Sequence, residues 1–176
     1  MFTVEIKGLS ALESKLDKII AGLPKAAESG VQNALRDTAK IAIRLSPGAV
    51  SKCIKVEIIG RDNNVIAGRV FTDTGITSFA PYVEFGTGIK VDDQGNPEAI
   101  RLKRAKKIPW YIHVSMVPES FARYGYSKIK IGTEEYWECD GMYPHPYMHP
   151  AAFQNRDKNA QTVALALSEM IKEAVT

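Results

Sequence analysis

The hydrophobic residues of this chain change period twice, and that change restricts the fold more than any other feature. Near the N-terminus Leu9, Leu12, Leu16, Ile19, Ile20 and Leu23 recur at helical spacing. Gly22 and Pro24 end or kink that helix. A second helix is predicted from about Lys25 to Leu45, with Val31, Leu35, Thr38, Ala42 and Leu45 as its apolar stripe and Ala34 and Ile41 beside it. Pro47 and Gly48 stop it. The period then falls to two, because Ile54, Val56 and Ile58 alternate with Lys55 and Glu57. Turn formers at 61–64 and a run from Val65 to Thr72 complete a hairpin.

Further short strands are predicted at Tyr82 to Phe85, around Trp110 to Val114, around Ile129 and Ile131, and at Tyr136 to Glu138. The period returns to 3.6 at the end, where Phe153, Ala160, Val163, Leu167, Met170, Ile171 and Ala174 mark the expected buried face of a last helix. Pro150 suits its first turn, where a missing N–H costs nothing. Helices first and last with strands between them argue for α+β: an antiparallel sheet packed against two N-terminal helices and one long C-terminal helix. At 176 residues with 45% hydrophobic content, the chain suits a single domain, 1–176, with an elaborated insertion at about 89–142.

Several function classes find no foothold in the residues. The net charge of +3 does not by itself imply a nucleic-acid or membrane partner. No apolar run reaches the ~20 residues of a membrane helix. Cys53 and Cys139 lie far apart and form no CxxC pair, so a reducing compartment is the default. Cys139, His145 and His149 are the residues nearest to a metal set. Pro144, Pro146 and Pro150 break the helix that would put both histidines on one face, and a fourth ligand is missing, so no metal is expected. There is no GxSxG, HExxH or P-loop, and no catalytic residue or cofactor is assigned. Glu84, among apolar neighbours, reads as a salt-bridged or interface glutamate rather than an acid or base. A pairing of Glu84 with His113 in a hydrolase would require the two side chains to converge. Gly86 and Gly88 read as a sharp backbone turn.

One stretch is strongly charged. RLKRAKK places Arg101, Lys103, Arg104, Lys106 and Lys107 in seven residues. It reads first as a solvated, exposed loop within Ile89 to Lys107, and as the alternative a contact to a DNA backbone or to a partner. Tyr111, Tyr124, Tyr126, Tyr136 and Trp137 surround it, as core aromatics or as interface anchors.

Two segments, with the N-terminal IKGLSALESKL at Ile6 to Leu16, carry a resemblance. YVEFGTG, comprising Tyr82, Val83, Glu84, Phe85, Gly86, Thr87 and Gly88, is similar to the most distinctive motif of the tail-completion proteins of tailed phages, the gene-product-ten family of the HK-ninety-seven type. PHPYMHPA, with Pro146, Tyr147, Met148 and Pro150, resembles that family's proline-rich approach to a last helix. Where the family carries a DTG turn after the paired helices, this chain has Gly48, Ala49, Val50, Ser51 and Lys52. The resemblance implies a virion or prophage structural protein, made in the host cytoplasm, that joins head to tail. Its implied partners are copies of itself in a ring and the neighbouring neck and tail proteins. It implies no cofactor and no reaction.

Overall fold

A computed structural model describes residues 7–62, 65–90, 108–117, 119, 122 and 126–176. In chain order the described elements are α1 (Leu9–Leu45), α2 (Gly48–Ser51), β1 (Ile54–Asp62), β2 (Val65–Thr72), α3 (Ala80–Phe85), β3 (Trp110–His113), β4 (Ser127–Ile131), β5 (Glu134–Cys139) and α4 (Met148–Val175). The class is α+β, as the period changes predict. The chain divides into two compact units. One takes its described residues from 1–42, 54–71 and 151–176, and the other from 43–53 and 72–150. A short strand that the sequence predicts at Thr3 to Ile6, together with Tyr124 and the basic stretch at 101–107, lies outside the described residues.

The first unit corrects the reading of the N-terminus. The two helices expected on either side of Gly22 and Pro24 are one helix of 37 residues, with Pro24 inside it. Proline removes one helical hydrogen bond and crowds the preceding turn. Packing along α4 offsets that cost on both sides of the proline. A Cβ added to Gly22 would lie 2.9 Å from Met170 Sδ, and one on Gly30 would lie 3.0 Å from Val163 Cα. Gly22, Gly30 and Thr38 meet α4, and small residues recur every four positions through them, at Gly22, Ala26, Gly30, Ala34, Thr38 and Ala42, the last four buried. Small side chains let two helix backbones approach closely, so that contact replaces bulk as the packing device.

Polar groups fix the register of this pair. Thr38 Oγ1 accepts from Asn155 Nδ2 at 3.0 Å and from Asn159 Nδ2 at 3.2 Å, and lies 3.1 Å from the Ala34 carbonyl to which it donates. Asn155 also donates to Asn159 Oδ1 at 2.7 Å. Thr38 and Asn155 are buried, and a buried network of this kind is stable only when its members find partners. Neither asparagine was foreseen as a core residue.

The large apolar residues expected to be buried divide: Val31, Leu35 and Ile41 of α1 are half-buried, but most of those in its first turns are not. Leu9, Leu12, Leu16, Ile20 and Leu23 are exposed, as are Phe153 and Ile171 on α4. Ala160 is exposed too, while Val163, Leu167, Met170 and Ala174 are half-buried, and Ala151 and Asn155 are the buried residues of α4. Helical spacing locates a stripe but does not say which of two stripes faces inward. The hairpin follows its pattern. Ile54 is buried and Val56 and Ile58 half-buried, while Lys55, Glu57 and Ile59 are exposed. Gly68 leaves room for α1: a Cβ there would stand 2.4 Å from Leu35 Cδ1 and 3.0 Å from the Glu57 carbonyl.

The second unit contains a three-stranded antiparallel sheet in the order β3-β5-β4. Ile112 and Lys128 flank Trp137, and His113 and Ile129 flank Tyr136. Gly132, at φ 66°, opens the two-residue turn between Ile131 and Glu134, where a hairpin of this length needs positive φ. Alternation along β5 sends Trp137 and Cys139 inward, both buried, and leaves Tyr136 and Glu138 on the half-buried opposite face. Of the aromatic residues left open by the sequence, Trp137 is therefore core, while Tyr111 is exposed.

Candidate functional site

The run Tyr82 to Phe85 is helical rather than a strand. Alternation over four residues cannot separate the two periods, but two other signals were present. Pro81 sits in the first turn, where its fixed φ is pre-organised for a helix, and Gly86 follows the last turn. Ala80, Val83 and Glu84 are the buried residues of α3, the i, i+3, i+4 set of one helix face.

That face turns Glu84 onto the start of α4. Oε2 accepts from the backbone N–H of Tyr147 at 2.7 Å and of Met148 at 2.9 Å, and Oε1 accepts from His149 N–H at 2.9 Å. The first N–H groups of a helix have no partner within the helix and carry its positive dipole end, so a carboxylate is the complementary group. Glu84 is 4% exposed. One residue earlier, the Val83 carbonyl accepts from His145 N–H at 2.7 Å. Tyr147 is 1% exposed, and its hydroxyl lies 3.0 Å from Thr72 Oγ1. Burial pushes the Tyr147 phenol above its ordinary value; the Thr72 hydrogen bond works against that shift, and the charges of Glu84 and Cys53 add to it.

Beyond α3 the chain makes a second, closer contact. Gly86 and Gly88 take positive φ, 77° and 63°, and Gly141 takes 138°. Thr87 N–H donates to the Met142 carbonyl at 2.9 Å, Ile89 N–H to the Asp140 carbonyl at 3.0 Å, and Met142 N–H to Thr87 Oγ1 at 2.8 Å. A Cβ on Gly88 would fall 2.1 Å from the Asp140 carbonyl oxygen, and one on Gly141 would fall 2.0 Å from that of Thr87. The two strands of backbone thus cross where no side chain fits. Lys90 closes the crossing with an ion pair to Asp140 at 2.7 Å, and its ammonium lies 4.7 Å from the Tyr143 ring centre. Asp140, Gly141 and Met142 were not singled out from the sequence. The one available signal was the Asp-Gly dipeptide directly after a strand.

The motif residues named from the sequence are thus parts of one clasp or of the backbone that leads into it: Tyr82, Val83, Glu84, Phe85, Gly86, Thr87 and Gly88 on one side, and Pro146, Tyr147, Met148 and Pro150 on the other. Other candidates stay apart. Glu84 and His113 have separate partners: His113 Nε2 lies 2.8 Å from Glu134 Oε2, and Nδ1 accepts from Ser115 N–H at 3.2 Å. The imidazole also stacks edge-on against Tyr136 at 5.2 Å. Cys139 is buried, and burial together with Asp140 raises its thiol above the ordinary range, partly countered by Lys90. His145 Nδ1 lies 2.9 Å from the Tyr143 carbonyl. Among the described residues no group of three or more His, Cys, Asp or Glu side chains is placed to hold a metal ion. No helix among them is long and apolar enough to cross a membrane.

Comparison with protein-family models, with curated proteins and with solved structures finds no match to this chain.

Proposed function

We propose that this chain is a non-enzymatic structural protein of a tailed phage or prophage, completing the tail or joining it to the head through protein–protein contacts in a ring. The observation that supports this reading is the clasp. The two segments that resemble tail-completion proteins, about sixty residues apart in sequence, are bonded to each other through Glu84 and Val83. Glu84, the buried carboxylate of the motif, is engaged by three backbone donors. Its chemistry is that of a fastener for α4, and the motif reads as a way of holding a scaffold whose surfaces meet other subunits.

A ring requires two different complementary patches on each copy, joined head to tail. The expected partners are copies of this chain and the neighbouring neck and tail proteins, and the expected setting is the virion, after assembly in the host cytoplasm. Mixing the purified chain with the proteins encoded beside it tests this. Closed rings in electron micrographs, absent when Gly88→Val disrupts the crossing, are the expected result. A chain that joins no assembly with those proteins, at concentrations well above micromolar, overturns the proposal.

A further inference from the structure

Five large apolar side chains stand on the outer face of the first turns of α1. Leu9 is 51% exposed, Leu12 55%, Leu16 48%, Ile20 66% and Leu23 37%. At 100° per residue all five lie within about 40° of Leu16 around the helix axis, so they form one straight stripe. It spans about 21 Å at 1.5 Å per residue. The flank of the same turns about 60–120° round from Leu16 is occupied. Gly22 is against Met170, Lys15 Nζ bonds to the Val175 carbonyl, and Ile19 is half-buried. The stripe is therefore a second apolar face of α1, left over after α4 has taken the first.

We infer that this stripe pairs with the same stripe of a second copy of the chain, antiparallel, about a two-fold axis at Leu16. The spacing carries the inference. Leu9 and Leu23 stand seven residues to either side of Leu16, and Leu12 and Ile20 stand four to either side. Reversing the helix maps the set onto itself. An antiparallel copy sets Leu9 over Leu23, Leu12 over Ile20 and Leu16 over Leu16, with no large apolar residue of the stripe left unmatched. That is the condition for an isologous contact, in which residue i meets j and j meets i. A heterologous partner would not require this symmetry.

Charge and area narrow the occupant further. The flank of the stripe turned away from α4 carries Glu13 and Asp17. An interfacial helix on an anionic membrane carries lysine and arginine there instead, so a lipid surface is the poorer match. Five side chains, each about half exposed, give an interface at or below the ~1,200 Å² of total buried surface that marks stable pairs. The pair is reversible, with a dissociation constant on the order of micromolar or weaker. In the antiparallel arrangement the two acidic flanks fall on the same side, so added salt screens their repulsion and tightens the pair. A two-fold pair closes on itself, so this contact is distinct from the head-to-tail patches of a ring and does not depend on the phage reading.

Sedimentation of the full chain across a concentration series, at low and high salt, tests the pairing. A monomer–dimer equilibrium is expected, strengthened by salt and weakened about a hundredfold or more by Leu16→Glu, which places a charge on the axis in both copies. The Leu16→Glu chain should keep the parent's circular dichroism, because the residue is exposed. Orientation is read by cysteine cross-linking, with little background because Cys53 and Cys139 are buried. Leu16→Cys should oxidise to a covalent dimer, and Leu9→Cys mixed with Leu23→Cys should cross-link. Leu9→Cys alone should not. Four results overturn the inference: a chain that stays monomeric to about 1 mM, a dimer indifferent to Leu16→Glu, self-cross-linking of Leu9→Cys that matches Leu16→Cys, or sedimentation with anionic lipid vesicles in place of self-pairing.

Discussion

The helix pair of the first unit and the clasp of the second are both closely packed, but by opposite means. Along α1 and α4 closeness comes from small side chains repeated every four residues, and each makes a modest contribution to a long contact. In the clasp it comes from a few backbone atoms that cannot move: three N–H groups on one carboxylate, and two glycine segments crossing at less than side-chain distance. A long contact degrades gradually when one position changes, because neighbours share the load. A crossing of backbones has no such reserve. The lesson is that the positions least tolerant of change in this chain are glycines and one glutamate, not the large apolar residues of its helices.

The sharpest way to break the comparison is at Gly88. Gly88→Ala forces a side chain into φ 63° and toward the Asp140 carbonyl. The left-handed conformation alone costs about 1–2 kcal/mol, and the clash adds to it, for a loss of about 3 kcal/mol or more. Glu84→Ala comes next. It strips the acceptor from three backbone donors, the Tyr147 N–H in a buried bond and those of Met148 and His149 in part-buried ones, and a buried donor left unsatisfied costs about 1–3 kcal/mol. A loss of about 3 kcal/mol is expected, with Glu84→Gln less damaging because one oxygen acceptor remains. Both tryptophans, Trp110 and Trp137, belong to the sheet of the second unit. Their fluorescence therefore follows that unit, while far-ultraviolet circular dichroism is dominated by α1 and α4. In urea titrations these two variants should move the fluorescence midpoint at least as far as the dichroism midpoint. A dichroism shift without a fluorescence shift would dissolve the contrast.

In the helix pair the expected effects are smaller. Thr38→Val leaves the Asn155 and Asn159 amides short of an acceptor and should cost about 1–2 kcal/mol. Gly30→Ala sets two terms against each other. Alanine gains about 1 kcal/mol of helix propensity, and its Cβ meets Val163 Cα at 3.0 Å and Ala166 Cβ at 3.2 Å. The net change should stay within about 1 kcal/mol of zero, read as the urea midpoint by dichroism. A loss of about 3 kcal/mol there would mean that the helix pair is as intolerant as the clasp.

How much of this was legible in the sequence follows from the same contrast. The class was, because it depends on period, while the run Tyr82 to Phe85 was too short for its period to separate helix from strand. The hairpin was read with its inward face correct, since Ile54, Val56 and Ile58 alternate with charges. In the second half of α1 it was as well, since Thr38 and Ala42 of the expected stripe and Ala34 beside it are buried. In the first turns it was not: the leucine stripe there is more hydrophobic than Gly22 and Ala26, and hydrophobicity alone favours the wrong side. Pro24 misled for a related reason: a local penalty predicts a break, and a tertiary contact on both sides overrides it. At the clasp, the residue types of YVEFGTG and PHPYMHPA were picked out by resemblance, and the positive φ of Gly86 by its place after the run. That Glu84 fastens Tyr147, Met148 and His149 depends on a separation of more than sixty residues that no local pattern encodes. The partners of Thr87, Asp140 to Met142, were missed for the same cause.

The smallest effect sharpens the clasp from inside. Tyr147 is fully buried, and its hydroxyl meets Thr72 Oγ1 at 3.0 Å. Tyr147→Phe removes that hydrogen bond while keeping the ring, and near neutral pH it should cost about 1 kcal/mol. The cost should change with pH. Burial raises the phenol of the folded chain above the 10.0 of a free tyrosine. Between the two values the unfolded chain has lost its proton and the folded chain has kept it. The folded state then binds more protons, and stability falls as pH rises. The contribution of this hydroxyl is therefore complete below about pH 10 and decreases above it, whereas phenylalanine has nothing to titrate. Other tyrosines and the lysines also ionise in this range, so the informative quantity is the difference between the parent and Tyr147→Phe. That difference should be steady from pH 7 to about pH 9.5 and then shrink. A difference that holds constant through pH 11 would mean that the hydroxyl ionises in the folded chain as easily as in water. In that event the pocket formed by α3, Thr72 and the start of α4 is open to solvent, and the clasp is looser than its backbone hydrogen bonds imply.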